Sequence, residues 1–187
     1  MASSAPSALS PRAREIVAAA RALLEEEGRE ALTMRRLAER LGIRAPSIYK
    51  HLRDKDALEA VLVSDGFVES AEAFERAIAG SPDPLGDLAR AYRDFALRHE
   101  HLYRLMTEQP LRRELLAEGV EARAAAPIVA VCGDLDTARA AWAFAHGMTI
   151  LELNGRFPPG ADLDAAWERG LVAFRARGSA RPPGPGA

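Results

Sequence analysis

Apolar residues along this chain recur at helical spacing and hardly ever alternate. Ile16, Val17, Ala20, Leu23 and Leu24 share one face of a helix predicted from Pro11 to about Glu27. Ser10 stands at the capping position, Pro11 suits the first helical turn, and Gly28 ends the run. Thr33 caps a short second helix that buries Leu37, Ala38 and Leu41 and stops at Gly42. A third short helix is predicted from Ala45 and Pro46 to about Leu52, with Ile48 and Leu52 facing inward. Asp54 then caps a long fourth helix carrying Leu58, Val61, Leu62, Phe67, Val68, Phe74 and Ile78.

Further along, the two-proline turn at residues 80–86 precedes a helix from Pro84 to His99 with a short continuation through residues 102–106. Pro110 is expected to open another helix, which Pro127 must kink or divide. Two more helices are predicted, from Asp136 to Asn154 and from Leu163 to Arg177. Residues 1–9 and 178–187 read as a disordered arm and tail. No period-two strand and no internal repeat is visible. The fold class is therefore all-α, with a small N-terminal head over residues 10–54 and a larger helical body over residues 55–177.

Charge sharpens this picture. The chain has 187 residues and a net charge of -2. Residues 33–55 hold seven basic residues against Glu39 and Asp54, a surplus of +5, so the remainder carries -7. A basic patch on an acidic body is the footprint of a module that binds phosphates. Lys50 and Lys55, the chain's only lysines, both fall inside it. Cys132 is the only cysteine, which excludes an intrachain disulfide and a cysteine-based zinc site, and fits a reducing cytoplasm. The polar start shows no signal peptide, and no apolar run approaches the roughly 20 residues that span a bilayer. A cytoplasmic location without membrane contact is expected.

The chemistry concentrates in "TMRRLAERLGIRAPSIYKHLRDKDAL", residues 33–58. Two short helices are joined by a glycine turn. The second shows much polar surface and few apolar residues, which suits the major groove of DNA better than a core. Arg44 and Lys50 are placed to reach guanine edges, and Ala45 permits close approach. Ser47, Tyr49, His51 and Lys55 offer donors to phosphate oxygens, which fix register without reading sequence. The full candidate DNA-binding set is Thr33, Arg35, Arg44, Ala45, Pro46, Ser47, Tyr49, Lys50, His51 and Lys55. The alternative is a helical hairpin with a solvated basic face.

Thr33, Leu37, Ala38, Gly42, Ser47, Ile48, Tyr49, His51, Leu52, Lys55 and Leu58 together resemble the helix-turn-helix of the TetR family of transcriptional repressors. The stretch "AWAFAHGMTILELNGRF" resembles the Trp-His-Gly C-terminal domain of one branch of that family, through Trp142, His146 and Gly147. The resemblance implies a homodimer that binds double-stranded DNA at a pseudo-palindromic operator. It also implies a body that dimerises through its last two long helices and binds a small, largely apolar inducer. Repression is the family's habit and enters by resemblance alone.

Phe67, Phe95, Tyr103, Met106, Trp142 and His146 are the candidate ligand-binding residues, each with plain core packing as its alternative. For Trp142 and His146, four apart on one helix face, core packing is the favoured reading. Trp167, Leu171 and Phe174 are candidates for the dimer interface. His99, Glu100 and His101 do not share a helix face, so no metal site is expected, and no cofactor. A nucleophile elbow, a phosphate-cradling glycine loop and paired catalytic carboxylates are all missing, so the chain does not read as an enzyme. Cys132 reads as a small buried hydrophobe.

Overall fold

The computed structural model describes residues 9–178. Apart from Leu9 and Gly178, the expected disordered arm and tail lie outside the described residues. Among those described, nine α-helices and no strands occur: α1 (Pro11–Glu27), α2 (Met34–Leu41), α3 (Ala45–Ile48), α4 (Lys55–Ile78), α5 (Pro84–Arg98), α6 (Glu100–Thr107), α7 (Val120–Cys132), α8 (Leu135–Leu153) and α9 (Leu163–Gly178). Many boundaries follow local chemistry. The Ser10 hydroxyl accepts from the Ala13 N–H, and the Asp134 carboxylate accepts from the N–H groups of Asp136 and Thr137.

The chain forms two compact units. The first comprises residues up to Glu69 together with His99–Glu121; the second comprises Ser70–Arg98 and the residues from Ala122 onward. In the first, α1 packs on α2 and α6, and α2 packs on α3. Its core includes Ile16, Leu24, Leu32, Leu37, Ile48, Leu58, Leu62 and Leu102, all at most 1% exposed. In the second, α5, α8 and α9 pack together. Arg93 of α5 binds Glu152 through two bonds of 2.8 and 2.7 Å and Asp164 at 2.6 Å, tying α5 to α8 and α9. Cys132, Ala138 and Ala141 form a small core there, with Leu85, Ile128, Val129 and Phe174 against it.

Several expectations are corrected. Pro110 opens no helix: residues 108–119 are irregular apart from a 3₁₀ turn over Arg113–Leu115, and α7 starts after Gly119 at φ 76°. Pro127 does not divide α7, which continues through it to Cys132. The 102–106 segment is no continuation of α5, because His99 leaves helical geometry at φ -124°, ψ 48° and starts a separate helix, α6. In α2, Met34 is buried while Leu41 is only half-buried.

Candidate nucleic-acid interface

The turn between α2 and α3 is built by one glycine. Gly42 sits at φ 64°, ψ 29°, a left-handed conformation that costs a side-chain-bearing residue free energy. Its N–H donates to the Glu39 carbonyl at 3.1 Å, and the Ile43 N–H donates to Ala38 at 3.0 Å. This closed helix end redirects the chain abruptly into α3. The Thr33 hydroxyl accepts from the Arg36 N–H at 3.2 Å, fixing the start of α2.

The third helix is shorter than predicted. Regular α-helix covers only Ala45–Ile48, and residues 49–51 follow as turns. Proline within its first turn and the bonds Ser47 N–H to Arg44 (2.8 Å) and His51 N–H to Ile48 (2.9 Å) hold it in shape. Ile48 and Leu52 are buried and anchor it, as expected. Arg44, Pro46, Tyr49, Lys50 and His51 are exposed, Tyr49 at 51%, while Ala45 and Ser47 are half-buried. The outward side chains thus sit on one short, internally anchored ledge.

The structure divides the basic patch into bound and unbound cations. Arg40 makes a bidentate pair with Glu26 of α1, both bonds at 2.6 Å, and Arg36 binds Glu27. Arg40 holds the Glu26 carboxyl below its ordinary range. Arg53 pairs with Asp54 at 2.7 Å. The Asp54 carboxyl is also held low, first by the Ala57 N–H it accepts at 2.8 Å and then by Arg53. Arg35 touches Glu39 at 3.7 Å, and Lys55 shares Glu59 with Arg29 at 3.4 Å. Arg44 and Lys50 have no ion pair among the described residues. The acidic partners on α1 and α4 are what the sequence reading missed; the run Glu25, Glu26, Glu27 was the available signal.

Two sequence models match, "Bacterial regulatory proteins, tetR family" over residues 16–60 and "Tetracyclin repressor-like, C-terminal domain" over residues 85–174. An uncharacterised HTH-type transcriptional regulator of Mycobacterium tuberculosis is 31% identical over 151 residues, 75% of this chain and 69% of the relative. The chain belongs to the TetR family. The tetracycline repressor protein class A of Escherichia coli is 34% identical to this TetR-family chain over 92 residues, covering 45% of the chain and 43% of the repressor. A protein of unknown function from Rhodococcus sp. RHA1 has the same fold, with a TM-score of 0.74, 28% identity and coverage of 92% of this chain and 97% of its own. This TetR-family protein is thus a DNA-binding transcriptional regulator, and Arg44 to His51 stand at its helix-turn-helix.

The expected ligand residues of this regulator fall in both units. Phe67, Tyr103 and Met106 belong to the first unit; Phe95, Trp142 and His146 belong to the second. The second unit has a cavity of about 30 Å³ bounded by Leu88, Tyr92, Ile128, Ala141, Trp142 and Leu171 among others, with room for one or two waters. Trp142 therefore borders a cavity, whereas Phe95 and His146 do not line it. Core packing of Trp142 is corrected: the residue is 47% exposed, its ring stacked 6.0 Å from that of His146. The seam expected at Trp167 and Leu171 is corrected as well. Both are covered within the chain, at 6% and 5% exposure, and the Trp167 ring packs edge-on against Phe144 at 5.4 Å. Phe174 is half-buried against the same Phe144. The large exposed apolar residues of α8 and α9, among the described residues, are instead Leu135, Trp142, Leu151 and Val172.

Cys132 is buried, and burial first, then Asp134, pushes its thiol up from its ordinary range. No cluster of three metal-ligating side chains occurs among the described residues, and no described helix is long and apolar enough to cross a membrane.

Proposed function

We propose that this regulator is a homodimeric repressor that leaves a pseudo-palindromic operator when a small, largely apolar ligand binds its second unit. The observation that carries the DNA half is the ledge at residues 44–51, where Arg44 and Lys50 stand exposed beside Tyr49 with no acidic partner among the described residues. Arg44 and Lys50 reach base edges while their charge neutralises the flanking phosphates; Ser47, Tyr49, His51, Lys55, Thr33 and Arg35 meet phosphates, and Ala45 and Pro46 let the backbone approach. A dimer would present two such ledges about one duplex turn apart.

The likeness to a tetracycline repressor supports both repression and a small-molecule ligand. The cavity beside Trp142 is the proposed entry, and it must widen, since its present volume suits water. The dimer closes over exposed apolar residues of α8 and α9, chiefly Leu151 and Val172. Helix α4 carries Lys55 at its start and continues into the second unit, so it is the lever through which a ligand shifts the population away from the DNA-competent state.

The test is selection of randomised duplexes by purified protein. A recovered palindrome, lost in the Tyr49→Ala, Lys55→Ala double variant while circular dichroism is unchanged, is the expected result. Recovery of no sequence by a folded wild type sinks the reading.

A further inference from the structure

A second hollow lies in the first unit and shares no lining residue with the cavity beside Trp142. It encloses about 280 Å³, close to the lower end of the roughly 300–1,000 Å³ typical of small-molecule sites. Its apolar floor includes Val63 of α4, Leu105 of α6, and Leu111 and Leu116 of the segment between α6 and α7. Val63 and Leu105 are buried; Leu111 and Leu116 are half-buried. Four charged residues border the floor: Arg29, Asp56, Glu59 and Arg112.

The charged groups are not equivalent. Glu59 is 13% exposed at its side chain and fully engaged: Arg29 donates to its two oxygens at 3.2 and 3.0 Å, and Lys55 lies 3.4 Å away. Arg112 is 54% exposed, and its partners Asp56 and Glu114 are exposed too. It donates Nε to Glu114 at 3.2 Å and Nη1 to Asp56. No bond from Nη2 is recorded among the described residues. Ion pairs this exposed exchange partners at little cost, because water replaces the lost contact. Arg112 is thus a cation able to change its carboxylate, standing at the edge of an apolar hollow.

We propose that this hollow binds a small amphipathic monocarboxylate, its hydrocarbon part on the floor and its carboxylate on Arg112 in place of Asp56. A guanidinium matches a carboxylate bidentately, which a neutral alcohol cannot reproduce. A cationic amphiphile finds Glu59 already occupied. Binding leaves Asp56 without its arginine and adds one negative charge to the first unit. Asp56 directly follows Lys55, so the anion opposes the approach of DNA phosphates. This last consequence rests on the DNA-binding reading above; occupancy of the hollow does not.

Isothermal calorimetry of the full chain without DNA, with octanoate, octanol and octyltrimethylammonium as probes below micelle formation, tests the site. Octanoate is expected to saturate at one per chain and to bind at least about tenfold tighter than the other two. Arg112→Gln should bring octanoate down to the level of octanol, and Leu111→Trp should abolish binding by filling the hollow. Equal binding of octanol and octanoate overturns the proposal. So does octanoate binding that survives both variants, because the molecule then sits elsewhere. Arg112 is a surface residue, so its variant keeps the test open if Leu111→Trp does not fold. Octanoate should also weaken operator binding by wild type and not by Arg112→Gln. Failure to find an operator would refute the DNA reading and leave the calorimetric result standing.

Discussion

Replacing Lys50 by alanine should flatten the salt dependence of operator binding by a calculable amount. Each phosphate neutralised by a cationic side chain releases counterions, so the slope of log K against log salt is about -0.9 per contact on duplex DNA. Arg44 and Lys50 are the two cations of the patch without an acidic partner among the described residues, four per proposed dimer, which gives a slope of about -3.6. Arg35 and Lys55 are held only loosely, at 3.7 and 3.4 Å, and recruiting both takes the slope to about -7. The sequence alone counts seven basic residues in the patch, fourteen per dimer, and would give about -13. Lys50→Ala removes two contacts per dimer and should reduce the magnitude by about 1.8. Fluorescence anisotropy on a labelled operator between about 50 and 200 mM salt reads both quantities. A wild-type slope near -13 would mean that Arg36, Arg40 and Arg53 leave their acidic partners on DNA. A slope unchanged in Lys50→Ala would mean that Lys50 does not meet the backbone. Either result refutes the division into bound and unbound cations.

Ile48→Ala should destabilise the first unit by about 2–5 kcal/mol, because Ile48 is fully buried and is the anchor of α3. Chemical denaturation checks it, and a loss under about 1 kcal/mol would show that α3 does not depend on that contact. Gly147→Ala and Gly170→Ala should shift the thermal midpoint in opposite directions. A Cβ on Gly147, inside α8, meets nothing within 4 Å and should gain about 1 kcal/mol of helix propensity, whereas on Gly170 it would lie 2.1 Å from Phe144 Cζ and overpack the core. A fall at Gly147 would contradict the open surface there. Cys132 should resist alkylation in the folded protein and react on unfolding; rapid native labelling would contradict its burial. Its folded thiol is shifted up, so the unfolded chain ionises first and stability should fall as pH rises past the ordinary thiol range.

What the sequence determined lies within a few residues of itself. The caps at Ser10, Thr33, Asp54 and Asp134, the left-handed turn at Gly42 and the apolar face of α1 follow from hydrogen bonds and spacings spanning no more than about four residues. The helix-turn-helix and its inward anchors Ile48 and Leu52 were legible for that reason. The irregular 108–119 segment misled because a proline permits a helix start without requiring one.

Tertiary structure alone decided which charges and aromatics are available. Arg40 and Glu26 are 14 residues apart, Arg29 and Glu59 are 30 apart, and Arg112 and Asp56 are 56 apart. Only the packing of α1 against α2 shows that part of the basic patch is spent on acidic neighbours. Trp142 and Trp167 look alike in sequence, yet one is exposed and the other buried, because Phe144 covers one indole while the other projects from α8. Helical periodicity states which residues share a face; which face is covered depends on the helix that packs against it.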